Sequence, residues 1–179
     1  MLITFSVLTI LLVLFPTVDN YLDSSMTRHV LIQIPVLIFC GIALGWKLKV
    51  RWTDIDHNGI TSLIFFAGTL LFWMIPRSLD EAVTSNLLDQ VMHMNMIIAG
   101  FVLGQNQHKI TFMPRAIFSI YSLAMLFTMG IIYTHFSAII CATYTLEEQK
   151  DMGYTLLTIL PFLFVTLFVW ILFSFKKNS

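Results

Sequence analysis

Apolar stretches about as long as a lipid bilayer is thick dominate this chain and limit the folds open to it more than any other feature. They run from about Met1 to Phe15, Val30 to Trp46, Ile60 to Ile75, Val91 to Gly104, Ala116 to Cys141 and Tyr154 to Phe175, each bounded by charge, proline or turn residues. A helix needs about 20 predominantly apolar residues to cross the hydrocarbon core. In 179 residues, six crossings with short loops use nearly the whole chain and leave no room for a separate globular domain. Only 11% of the residues are charged and 58% are hydrophobic, whereas a soluble domain carries roughly 25% charge. The expectation is an all-α polytopic membrane protein, a bundle of six transmembrane helices forming a single domain over residues 1–179.

The fourth run is short as a purely apolar segment. It becomes a full crossing when extended back to Asn86, with Asp89 and Gln90 facing the bundle interior or the headgroup layer. The first run lacks a basic n-region and an A-x-A cleavage signal, so it reads as a retained helix. Pro35 and Pro161 fall inside helices, where a missing N–H kinks the segment and neighbours re-satisfy the freed carbonyl. Gly41, Ala43 and Gly45, with Ala99, Gly100 and Gly104, offer close helix packing. Cys40 and Cys141 lie in different apolar runs with no C-x-x-C spacing and read as buried thiols.

Lysine and arginine concentrate on the cytoplasmic side of short loops. Lys47, Lys49, Arg51, Lys109, Arg115, Lys176 and Lys177 fall in the second and fourth loops and the C-terminal tail, whereas Arg28, Arg77 and Lys150 fall in the alternate loops. Both termini are therefore expected in the cytoplasm. Acidic residues divide the same way: Asp54 and Asp56 are internal, while Asp19, Asp23, Asp80, Glu81, Asp89, Glu147, Glu148 and Asp151 form an acidic outer rim. This orientation sorts the five histidines. His57 and His108 become solvated cytoplasmic residues. His29, His93 and His135, each from a different helix, converge on the outer leaflet.

Helical spacing puts Asp89, His93 and Met96 on one face, with Met92 beside it. A carboxylate, an imidazole and a thioether together suit copper, particularly Cu(I), with the carboxylate as a ligand or as the group that orients the histidine. Methionine is also ordinary membrane-helix filler, whereas ionisable side chains inside a membrane require partners. Copper at His29, His93 and His135, assisted by Asp89 and Met96, is the leading reading. Two facing histidines can also ligate haem, so a haem-binding or quinol-interacting electron carrier is the alternative. A third reading is a non-catalytic accessory subunit of a larger membrane complex. No G-x-S-x-G, no H-E-x-x-H and no nucleophile beside a base supports an enzyme. Basic stretches interleaved with aromatics are missing, which gives nucleic-acid binding no support.

The segment Leu146-Glu147-Glu148-Gln149-Lys150-Asp151-Met152-Gly153 resembles the L-E-D-Q-x-x-x-G signature of the CtaG-like family of caa3-type cytochrome c oxidase assembly proteins, with Glu148 in the aspartate's place. His93, followed by an apolar stretch that ends in glycine, is similar to that family's histidine-bearing helix. Arg28-His29 and the run containing Pro35 and Gly41 look like its Q-H-M-L-L segment. The resemblance implies a multi-pass protein of a prokaryotic cell membrane that handles copper and assists assembly of a haem-copper oxidase, its partner. It also adds Glu148 to the candidate metal ligands.

Overall fold

The computed structural model describes residues 2–48, 56, 58–135 and 140–178, with side chains as far as residue 174. His57, Lys49, Arg51 and Asp54, and the side chains of Lys176 and Lys177, lie outside the described residues. Every regular element among those described is helical. The chain forms two compact units, one of Met1–Ile110 with Cys141–Tyr144 and one of Thr111–Ile140 with Thr145–Ser179.

The first unit begins with α1 (Leu2–Val13) and α2 (Pro16–Asp23), which meet at a bend of 68°. Proline causes the break. Phe15 takes the extended conformation that a following proline favours, and Pro16 then starts a new helix, where its missing N–H costs nothing. The same arrangement recurs between α5 (Ile60–Trp73) and α6 (Pro76–Thr84), with Ile75 extended and a bend of 73°. The first and third apolar runs thus each form one short helix, α1 or α5, and a second short helix follows at a sharp bend. Met26–Lys47, Asn86–Asn106, Phe112–His135 and Leu146–Ser174 are long and apolar enough to cross a membrane on their own, and each bent pair brings the candidates to at most six.

Met26–Lys47 is one continuous helix made of α3 (Met26–Arg28), a π-turn (His29–Gln33) and α4 (Ile34–Lys47). Within the π-turn the Ile34 amide bonds back to the His29 carbonyl, five residues earlier. Pro35 has no N–H to give Leu31 and would crowd that carbonyl in a regular helix, so a widened turn just before it relieves the clash. The wide turn directs His29, Val30, Gln33 and Ile34 inward together, and all four are buried.

α4 crosses α7 (Asn86–Asn106) at unusually close range. A β-carbon added to Gly41 would strike the Ile97 carbonyl, and one on Gly100 would strike that of Ile38; Gly45 and Gly104 meet Phe101 and Ile42 in the same way. The two G-x-x-x-G stripes therefore let backbone lie on backbone. Leu37, Met92, Met96 and Ala99 fill the core around this crossing, while α5 and α6 pack on α7 and α1 packs on α4. The Asp80 carboxylate accepts the amides of Ala142 (2.8 Å) and Thr143 (3.1 Å), and the Tyr144 hydroxyl donates to the Asp23 carbonyl (3.0 Å). These bonds tie the segment Cys141–Tyr144 to α6 and to the end of α2.

The second unit is a helical hairpin of α8 (Phe112–His135) and α9 (Leu146–Asn178). Gly130 and Gly153 allow the close approach, and the antiparallel register brings Phe112 beside Trp170. Pro161 lies in the interior of α9. The outward face of α9 is aromatic, with Phe162 75% exposed and Phe164, Phe168 and Phe173 also bare. Apolar surface on this scale suits lipid as its solvent.

Candidate metal centre

The first unit buries a continuous polar network where α2, the π-turn and α7 meet. Its side chains come in three pairs spaced four residues apart, Asp19 with Asp23, His29 with Gln33 and Asp89 with His93. Each helix thereby presents two polar groups one turn apart on a single face. His29 and Gln33 are fully buried, His93 is 1% exposed and Asp89 5%.

Proton positions follow from the partners. A carboxylate accepts only, so the Gln33 amide nitrogen faces Asp19 Oδ1, at 2.7 Å. The same nitrogen lies 2.9 Å from His93 Nε2, which must therefore accept through its lone pair. The neutral His93 ring then carries its proton on Nδ1, which faces Asp89 Oδ2 at 3.4 Å. On the other side of the amide, Gln33 Oε1 accepts from His29 Nδ1 (2.9 Å), whose N–H is shared with Asp23 Oδ1 (2.7 Å). Both imidazoles therefore turn Nδ1–H toward a carboxylate and leave Nε2 with a lone pair. Metal-ligating histidines are commonly oriented in this way.

Two buried atoms of the network have no hydrogen-bond partner, His29 Nε2 and Asp89 Oδ1. Leaving such an atom unpaired costs about 1–3 kcal/mol, so each calls for an explanation. Asp89 and His93 line a cleft of ≈ 670 Å³, together with Asp19, Asp23, Asn20, Asn86 and Gln90, and among the described residues no lysine or arginine lines it. Ligand atoms of Asp19, Asp89 and His93 all lie within 4.8 Å of one another. Asp19 Oδ1 and His93 Nε2 are 3.9 Å apart, a gap that two metal–ligand bonds of about 2.0–2.2 Å can span.

The residues singled out from the sequence are distributed as follows. His29, His93 and Asp89 belong to the network, with the two imidazole centroids 6.5 Å apart. Met96 is fully buried, but at about 1.5 Å rise per residue it lies a turn deeper along α7 than His93. His135 is exposed at the end of α8 in the second unit, where its Nδ1 pairs with the Thr134 hydroxyl (3.0 Å). Glu148 also belongs to the second unit. Its carboxylate accepts the Thr145 amide and hydroxyl (both 3.0 Å), and the Thr145 hydroxyl accepts the Glu148 amide (3.3 Å), which makes a reciprocal cap on α9. Next to it the buried Gln149 accepts the Ile140 amide at 3.0 Å.

Sequence reasoning passed over three members of the network. Asp19 and Asp23 count in the sequence only as part of the acidic outer rim, and Gln33 is a neutral residue in an apolar run. The repeated four-residue spacing of polar pairs was the available signal. No protein-family model, curated protein or solved structure matches this chain.

Proposed function

We propose that this chain is a membrane-embedded metal-handling protein that holds a divalent transition-metal ion between Asp19, Asp89 and His93, with His29 as a further imidazole in the same network. One observation carries the reading: two carboxylates and an imidazole lone pair converge on a cleft that no cationic side chain lines among the described residues, and one of the carboxylate oxygens, buried, has no partner. Copper remains the ion of choice, but the donor set shifts its oxidation state. Imidazole with carboxylate oxygen suits Cu(II), which heads the divalent affinity order at such sites, whereas thioether sulfur selects Cu(I). Gln33 bridges His29 and His93 and fills the space that a porphyrin between the two rings would need, so the geometry favours an ion over haem. Supply of that copper to a haem-copper oxidase at the outer face of a prokaryotic membrane is the role implied by the resemblance, and it belongs to the same proposal.

Titration of the purified protein with Cu2+ tests the site. One equivalent is expected to bind, with affinity falling by about a hundredfold or more in Asp89→Asn and in His93→Ala and unchanged in His135→Ala. Unchanged binding in both of the first two variants would remove the site.

A further inference from the structure

We propose that Gln33 is a built-in occupant of the ion's place, a neutral amide that holds Asp19 and His93 together when the site is empty and is displaced when the ion enters. This inference rests on the metal reading and adds to it a residue that sets affinity without being a ligand.

The exclusion is chemical rather than a matter of bulk. His93 Nε2 has one lone pair, and Gln33 Nε2 donates to it at 2.9 Å while also donating to Asp19 Oδ1 at 2.7 Å. A metal ion bonded to His93 Nε2 needs that same lone pair. Gln33 therefore bridges two of the three atoms that converge for the ion, and its hydrogen bond and the metal bond cannot coexist. The Asp19 oxygen is different, because a carboxylate oxygen has a second lone pair and can keep a donor while it binds metal.

Displacement has a direct route. His93, Asp89 and Asp19 line the cleft, whereas Gln33 is fully buried behind them. An ion arriving through the cleft can take His93 Nε2 as the amide turns away, with ligand oxygens of Asp19 and Asp89 within 4.8 Å. Rotation about the last side-chain bond swings both amide atoms, so the Gln33 carbonyl releases His29 as the nitrogen releases His93, and the His29 Nδ1–H keeps Asp23 as its acceptor. In the empty site the His93 lone pair and Asp19 Oδ1 are thereby kept satisfied, and affinity is held below what the ligands alone would give.

Removing the amide should therefore tighten metal binding while weakening the metal-free protein, a combination that neither a ligand nor a purely structural residue produces. Gln33→Leu leaves the His93 lone pair buried and unpaired in the empty state, so Cu2+ affinity is expected to rise about tenfold as the thermal midpoint of the metal-free protein falls. Gln33→Met, unbranched and of similar length, repeats the measurement if the leucine variant does not fold. A folded variant of either kind with unchanged affinity overturns the proposal, and one with weaker affinity does so by marking Gln33 as a ligand. Folded wild-type protein that takes up no Cu2+ overturns the metal reading itself, and this inference with it.

Discussion

Partners decide what each acidic side chain of this protein does. Asp80 and Glu148 are spent on backbone amides at turns and helix starts, whereas Asp19, Asp23 and Asp89 face side chains. Asp56 belongs to the first group. It precedes α5 and accepts the amides of Ser62 (2.9 Å) and Thr61 (3.3 Å) and the Ser62 hydroxyl, which in turn accepts from Asn106 on α7 (2.8 Å). First-turn amides have no partner within their own helix, so this carboxylate supplies one and also favours the positive end of the helix dipole. Burial pushes its pKa up, but the Ser62 and Thr61 hydrogen bonds and the nearby Lys109 charge outweigh burial and hold it below the ordinary carboxylate value. Asp56→Ala should therefore cost about 1–3 kcal/mol at neutral pH. A carboxyl depressed in the folded state stabilises it fully above the unfolded pKa of about 4 and loses that contribution as pH falls through the folded value. Thermal unfolding in detergent at pH 7, 5, 4 and 3 should show the gap between wild type and variant closing below about pH 4. A gap that stays constant over that range would mean the charge on Asp56 contributes nothing.

At the scale of elements, the α4–α7 crossing positions the site, because it sets the π-turn that carries His29 and Gln33 against the α7 turn that carries Asp89 and His93. Glycine is required there for closeness, since any β-carbon on Gly41 or Gly100 would meet a backbone carbonyl of the facing helix. Gly68 on α5 supplies the contrast, with open space where its β-carbon would lie. Gly100→Ala should then destabilise the protein by about 1–3 kcal/mol or more, through forced separation of the helices. It should weaken Cu2+ binding at the same time. Gly68→Ala should be neutral or stabilising by up to about 1 kcal/mol, through helix propensity alone. Thermal midpoints measured in one detergent compare the two directly, and equal effects would show that the crossing does not need its glycines. The two proline-initiated helices matter here as well. The bend at Pro16 carries α2 across the end of the π-turn, and this is how Asp19 and Asp23 reach the network.

For the whole molecule, each bent pair has two ways to meet a membrane, as one broken crossing or as a re-entrant loop in one leaflet. The expectation from the loop charges is that both termini are cytoplasmic, and four or six crossings alike keep the two ends on one side. If α5 and α6 together form one crossing, Asn58 and Ser85 lie on opposite faces; if they form a re-entrant pair, both lie on the same face. Single cysteines at these positions, in a protein with Cys40 and Cys141 replaced, can be labelled from each side of sealed vesicles. Labelling of Asn58→Cys from the cytoplasmic side and of Ser85→Cys from the outside is expected. Labelling of both from one side would reduce the six crossings to fewer.

The all-helical architecture and the start of α7 at Asn86 were legible because backbone groups in lipid must be satisfied internally, so long apolar runs have few alternatives to helix. Asp89 and His93 were legible too, as ionisable residues four apart in an apolar segment. Their partners were not. A membrane bundle is apolar toward lipid and apolar toward its own core, so hydrophobic periodicity does not mark the inward face as it does in water. The histidines identified that face only at single points. Whether Asp19 or Met96 joined them depended on a bend at Pro16 and on depth along α7, both properties of the folded chain. Gln33 carries no charge to betray it, and only the π-turn, with the crossing of α4 and α7, brings its amide between two carboxylate-oriented imidazoles.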